Sequence, residues 1–148
     1  MGLAEIIFAH TENVHYREFF IVTLLTLFIT VTLDYIWINL RMMKEYKNMV
    51  FSIQNTPMNV RFIPTVLAYV VMIIALVLFA LPRVQKATRL RDSLLFGGML
   101  GFVTYGMFSF TNYAVLKNWT FRVVALDLVW GSILFAAVTY LASFYLTA

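Results

Sequence analysis

Four apolar runs, each long enough to cross a bilayer, dominate this sequence. A hydrocarbon core of about 30 Å takes roughly 20 helical residues. Run 19–40 carries a single charge, Asp34. Runs 62–81 and 93–116 carry none. Run 123–146 again carries a single charge, Asp127. Inside lipid the backbone N–H and C=O groups must pair within the protein, so these runs predict helices. The short alternating segments of a membrane barrel are missing. None of the runs keeps the polar face that a helix on a soluble core shows to water.

The expected fold is therefore an all-α integral membrane protein, a multi-pass four-transmembrane-helix bundle with both termini on one side. Residues 1–18 would form an N-terminal interfacial segment. Residues 19–148 would form the membrane domain, with helices at about 19–40, 62–81, 93–116 and 123–146.

Composition narrows the function classes. Of 148 residues, 62% are hydrophobic and 12% charged, with a mean hydropathy of +0.85. Soluble domains carry about 45–50% and about 25%. Disorder and almost any soluble enzyme are excluded. The net charge of +4 does not suggest nucleic acid as a partner, because the basic residues sit between apolar runs and form no long block. With no cysteine, the chain has no disulfide, thiolate nucleophile or Cys-ligated metal. His10 and His15 lie outside the spans and read as solvated, so no metal and no cofactor are expected.

Residues 1–18 mix acids and bases without a cleavage site, unlike a signal peptide. Ile6 stands where N-myristoylation needs Ser or Thr. A short interfacial helix is expected around 4–9. On the side of the termini, here the near side, lie Arg17, Arg83, Lys86, Arg89 and Arg91. The far side has Arg41, Lys44, Lys47, Arg61, Lys117 and Arg122, a slight preference for that side as cytoplasmic. Asn118-Trp119-Thr120 matches a glycosylation acceptor, but its short turn hugs the membrane and use is not expected. Arg83, Lys86, Arg89 and Arg91 read as a rim for lipid headgroups, so membrane lipids are expected partners.

Intramembrane carboxylates are costly, about 2.5–3.5 kcal/mol for an Asp at a helix centre, and they mark functional sites. Counting inward at about 1.5 Å per residue, Asp34 lies about 9 Å from the far side, and Asp127 and Asn112 about 6 Å. Three helices thus bring two acids and an amide to nearly one level. Each acid is followed three residues later by tryptophan, Trp37 and Trp130, on the same helix face. On helix 1, Thr23, Thr26, Thr30, Asp34, Trp37 and Arg41 form one stripe. On helix 3, Gly98, Gly101, Tyr105, Ser109 and Asn112 form another. Gly97 and Gly101 are a small-residue pair that lets a neighbouring helix approach. Helix 2 is nearly all aliphatic after Tyr69 and is the expected lipid- or oligomer-facing helix. The expected polar cluster is Asp34, Trp37, Asn112, Asp127 and Trp130, with Tyr105 and Ser109 beneath it and Thr30 and Arg41 along the stripe.

These residues also carry a resemblance. Leu33-Asp34-x-x-Trp37, Arg61-x-x-Pro64, Tyr105-Gly106, Thr111-Asn112 with Leu116, and Asp127-x-x-Trp130-Gly131 resemble the family called domain of unknown function 2177. It comprises small four-span membrane proteins, and the resemblance implies that architecture over about 33–140. The resemblance implies an aspartate in many relatives where this chain has Ser109, a departure that puts an all-carboxylate metal site in doubt here.

Three functions compete. The first is a proton- or cation-linked transporter or small channel, since a membrane carboxylate can load and release a cation. Four helices make a thin protomer, so a homo-oligomer is expected. The second is a membrane-embedded enzyme or accessory factor acting on a lipid, with the paired acids as acid and base. The third is a non-catalytic assembly subunit that uses the cluster as a clamp.

Overall fold

The computed structural model describes residues 16–146. The segment 1–15, with His10, His15 and the helix expected at 4–9, lies outside them. Four helices carry the chain: α1 (Arg17–Gln54), α2 (Phe62–Arg83), α3 (Lys86–Val115) and α4 (Phe121–Leu146). All four are long and apolar enough to cross a membrane, and there is no strand among the described residues. Four crossings return the chain to the side on which it starts, so Tyr16 and Leu146 share that side.

The helices run further than the apolar runs. Residues 16–18, which the charge pattern assigns to the interface, already belong to the helical body. Helix α1 continues past Leu40 as far as Gln54, through a stretch whose polarity predicts a loop. At 38 residues it is about 57 Å long, well beyond a bilayer core. Its last part, Met43–Gln54, is amphipathic rather than apolar, so it needs a protein surface and not lipid. It ends at Asn55, whose left-handed backbone (φ 55°) donates its N–H to the Phe51 carbonyl. Helix α3 starts at Lys86, ahead of its apolar run, because the charged stretch 86–92 completes turns outside the hydrocarbon. Pro82 ends α2 in a single 3-10 turn, Leu81–Arg83.

Helix α1 contains a π-helical turn at Ile38–Met42, closed by a Met43 N–H to Ile38 carbonyl bond. The wider turn inserts one residue and advances the face of the helix. The inward positions therefore run Thr26, Thr30, Asp34 and then Met42, with Met49 beyond. Arg41 is left outside. A second π turn, Leu76–Ala80, lies near the end of α2, and a third, Ser93–Gly98, near the start of α3.

Two cores hold the bundle. Val22, Leu76, Leu81, Leu134, Phe135 and Val138 fill the near half. Met42, Met49, Trp119, Val123 and Val124 fill the far end, where the α1 extension packs on the α3–α4 turn. Asn118 donates to the Ser52 carbonyl at 2.8 Å, and Arg122 pairs with Glu45 at 3.3 Å, fixing that contact. Helix α2 is the least buried of the four and shows Phe62, Ile63, Leu67 and Val71 outward. It is not wholly peripheral: Ile73, Leu76, Val77 and Ala80 enter the near core.

Helices α3 and α4 approach closely at glycines. A Cβ on Gly101 would strike the Gly131 backbone, and one on Gly97 would meet the Thr139 hydroxyl and the Phe135 carbonyl. Neither backbone can yield without parting the helices. A Cβ on Gly98 meets nothing closer than 3.7 Å. Gly101→Ala should therefore destabilise the bundle by about 1–3 kcal/mol, while Gly98→Ala should be nearly silent. Thermal unfolding of the two variants in detergent checks this contrast.

Candidate functional site

The Asp34 carboxylate sits at the junction of all four helices. Its Oδ2 accepts from the Tyr69 hydroxyl of α2 at 2.8 Å. Its Oδ1 accepts from the Trp130 indole of α4 at 2.8 Å and, more loosely, from the Tyr105 hydroxyl of α3 at 3.4 Å. Trp37, one turn along α1, stacks on Trp130 with ring centres 4.6 Å apart and planes 6° from parallel. The spacing of three between Asp34 and Trp37 gives both residues one face, and Trp130 answers both.

Asp127 has its own network. Its Oδ1 accepts from the Tyr46 hydroxyl at 2.6 Å, and its Oδ2 from the Ser109 hydroxyl at 2.8 Å. The Trp119 indole donates in turn to the Ser109 oxygen at 3.2 Å. The π turn in α1 brings Tyr46 round to α4. Without the inserted residue, Tyr46 would point about 100° away.

Both carboxylates are buried, Asp127 at 2% exposure and Asp34 at 7%. Asp34, unlike Asp127, borders an open cleft of 340 Å³ walled by Trp37, Tyr46, Tyr105, Phe108, Trp119 and Trp130. Met49, Val50 and Met58 also line it, so it lies under the α1 extension and the segment that follows. Among the described residues, neither carboxylate has an ion-pair partner, and no group of three His, Cys, Asp or Glu side chains could hold a metal.

The chain matches the predicted membrane proteins of domain of unknown function 2177 over residues 19–144. It belongs to that family. No curated protein and no solved structure matches it. Every residue of the two carboxylate networks falls within the matched region.

The structure thus brings together Asp34, Trp37, Tyr105 and Trp130, and beside them Asp127 and Ser109. It does not bring in Asn112, which is half-buried and bonds to neither acid. Ser109, one turn deeper, takes the place expected for it, with the Trp119 ring beside it. Arg41 is exposed, because the π turn hands the inward position to Met42. Thr30 is buried, but its hydroxyl donates to the Thr26 carbonyl at 2.7 Å, as Thr26 does to Val22. The threonine stripe therefore satisfies its own backbone and offers no free hydroxyl row. At the near side Arg83 donates to the Phe79 carbonyl. Arg89 lies over the Phe144 ring at 3.8 Å, and Lys86 and Arg91 are exposed.

Three members of the site escape a reading of span depth and stripes: Tyr46, Tyr69 and Trp119. Tyr69 is the one strongly polar group in the middle of α2, and its depth matches that of Asp34. Tyr46 belongs to a 4-3-4 pattern, Met42, Tyr46, Met49, Ile53, which signals a further amphipathic helix in a stretch too polar for a span. Trp119 stands out in the sequence only as part of a glycosylation acceptor.

Tyr46→Phe removes the donor to one oxygen of a carboxylate at 2% exposure. The variant should lose about 1–3 kcal/mol of stability. Tyr35→Phe, on the outer face of α1, should change nothing measurable. Thermal unfolding of both proteins in the same detergent gives the comparison.

Proposed function

We propose that this membrane protein is a cation-linked carrier whose binding group is Asp34. One observation carries the reading. A carboxylate buried among the helices has hydroxyl and indole donors but no cationic partner among the described residues, and it faces a cleft walled by aromatic rings. A buried charge without a counter-charge is expensive, and a cation entering the cleft removes that expense. Tryptophan and tyrosine faces add cation–π attraction for such a guest. A proton is the smallest cation that serves, and a cleft of 340 Å³ also admits a small organic cation.

A carrier fits better than an open channel. Below Asp34 the near half is filled by Val22, Leu134, Phe135 and Val138, and the hydroxyls of Thr26 and Thr30 are spent on their own helix. Ion passage would require that core to part, as in a carrier that opens to one side at a time.

One feature favours the clamp reading instead: all four carboxylate oxygens already accept hydrogen bonds. Asp34→Asn separates the two, because it keeps the shape and removes the charge. In proteoliposomes with an entrapped pH dye and an imposed potassium diffusion potential, the wild-type protein should carry protons above protein-free vesicles. Asp34→Asn should fold normally and lose that flux at least about tenfold, as expected for removal of a binding charge. Should the gradient be organic cation rather than proton, tetramethylammonium uptake should show the same loss. Wild-type vesicles that carry neither would reject the carrier and leave the clamp.

A further inference from the structure

At the near end, the turn between α2 and α3 encloses a hollow of 580 Å³. Arg83, Lys86 and Arg91 line its polar part, and Leu95 and Phe96 its apolar part. Arg83 is held in place by its bond to the Phe79 carbonyl and by the Phe96 ring, 5.8 Å beneath its guanidinium. The carboxylate in the wall is Asp92. It is buried, and one of its oxygens accepts both the Gln85 N–H at 3.0 Å and the Thr88 hydroxyl at 2.5 Å. Lys86 and Arg91 are exposed, and neither has an ion pair among the described residues. The wall therefore has three cationic side chains against one carboxylate already engaged by its own turn.

A second hollow, of 500 Å³, shares Arg91 and Leu95 with the first and continues over Leu90, Leu94 and Met99. Helix α3 runs from this end into the membrane, so Met99 lies about 12 Å deeper than Arg91. The two hollows form one surface. It is cationic at the level of the headgroups and apolar where it descends.

That shape matches a phospholipid and not a free anion, which would need only the upper part. The charge selects among lipids. A zwitterionic headgroup brings a cation, for which the wall offers one buried carboxylate, Asp92, against three cationic side chains. We infer that this surface is a binding site for one anionic phospholipid, its phosphate on Arg83, Lys86 and Arg91 and an acyl chain along Leu94, Leu95 and Met99. The site is separate from Asp34 and does not depend on the carrier reading.

Native mass spectrometry of the full chain in detergent tests it. The protein is titrated with dioleoylphosphatidylglycerol, dioleoylphosphatidylcholine and inorganic phosphate. One phosphatidylglycerol should be retained at least about tenfold more strongly than phosphatidylcholine, since each basic contact is worth roughly fivefold. The double variant K86Q/R91Q should cut that preference to the roughly fivefold or less that Arg83 alone supplies, and hold phosphatidylcholine as before. If the double variant proves unstable, Lys86→Gln alone, at an exposed position, should reduce the preference about fivefold. Met99→Ser should weaken phosphatidylglycerol without restoring phosphatidylcholine. Equal retention of the two lipids overturns the inference, and so does a preference left undiminished in K86Q/R91Q. Millimolar phosphate that displaces the lipid would make this a site for a soluble anion, and would overturn it too.

Discussion

The carboxylate of Asp34, on the first helix, receives a donor from each of the other three, and much of the bundle can be understood as keeping those donors in place. Tyr69, Tyr105 and Trp130 come from α2, α3 and α4. In lipid there is no water to take over if one of them leaves. Helix association there has no hydrophobic driving force of its own and relies on packing and interhelical hydrogen bonds. One acidic side chain thus ties all four helices together beside the two packed cores. The close glycine contact between α3 and α4 serves the same end. Gly131, next to Trp130, leaves room for the Tyr105 ring, because a Cβ there would fall within it.

The second network depends on the first in space but differs in kind. Asp127 is closed off, tied by Tyr46 to the α1 extension and by Ser109 to α3. It fixes the amphipathic segment over the far end. Asp34 stands at the edge of the cleft that this segment partly covers. Two acids that look equivalent in sequence, each with a tryptophan three residues on, therefore occupy different environments. One is a sealed tie between elements and the other borders an open space.

Much of this is legible in the sequence, and the failures have a common cause. Span number and class follow from the lengths of the apolar runs, which the bilayer thickness sets. The near-common depth of Asp34 and Asp127, with Tyr105 and Ser109 beneath them, follows from counting residues from a span edge. Azimuth is less secure than depth. Steps of three and four put Arg41 on the inner stripe, and one inserted residue in the π turn gives that place to Met42. Asn112 shares the depth but bonds to neither acid. Tyr46 is invisible to a search for spans because the stretch after Leu40 is too polar to cross a membrane, and only its own helical spacing reveals it.

The π turn has a mechanical consequence. It makes α1 two rods joined end to end, with the twist between them fixed by a single extra residue. The first rod, through Trp37, is keyed to α4 by Asp34 and the stacked indoles. The second, from Met43, is keyed by Tyr46, Met49 and Glu45. Removing the bulge would leave both rods helical and turn one against the other by about 100°. Met42 and Met49 would then leave Trp119, and Tyr46 would release Asp127. The joint sets the rotation about the helix axis between the membrane interior and the far-side surface.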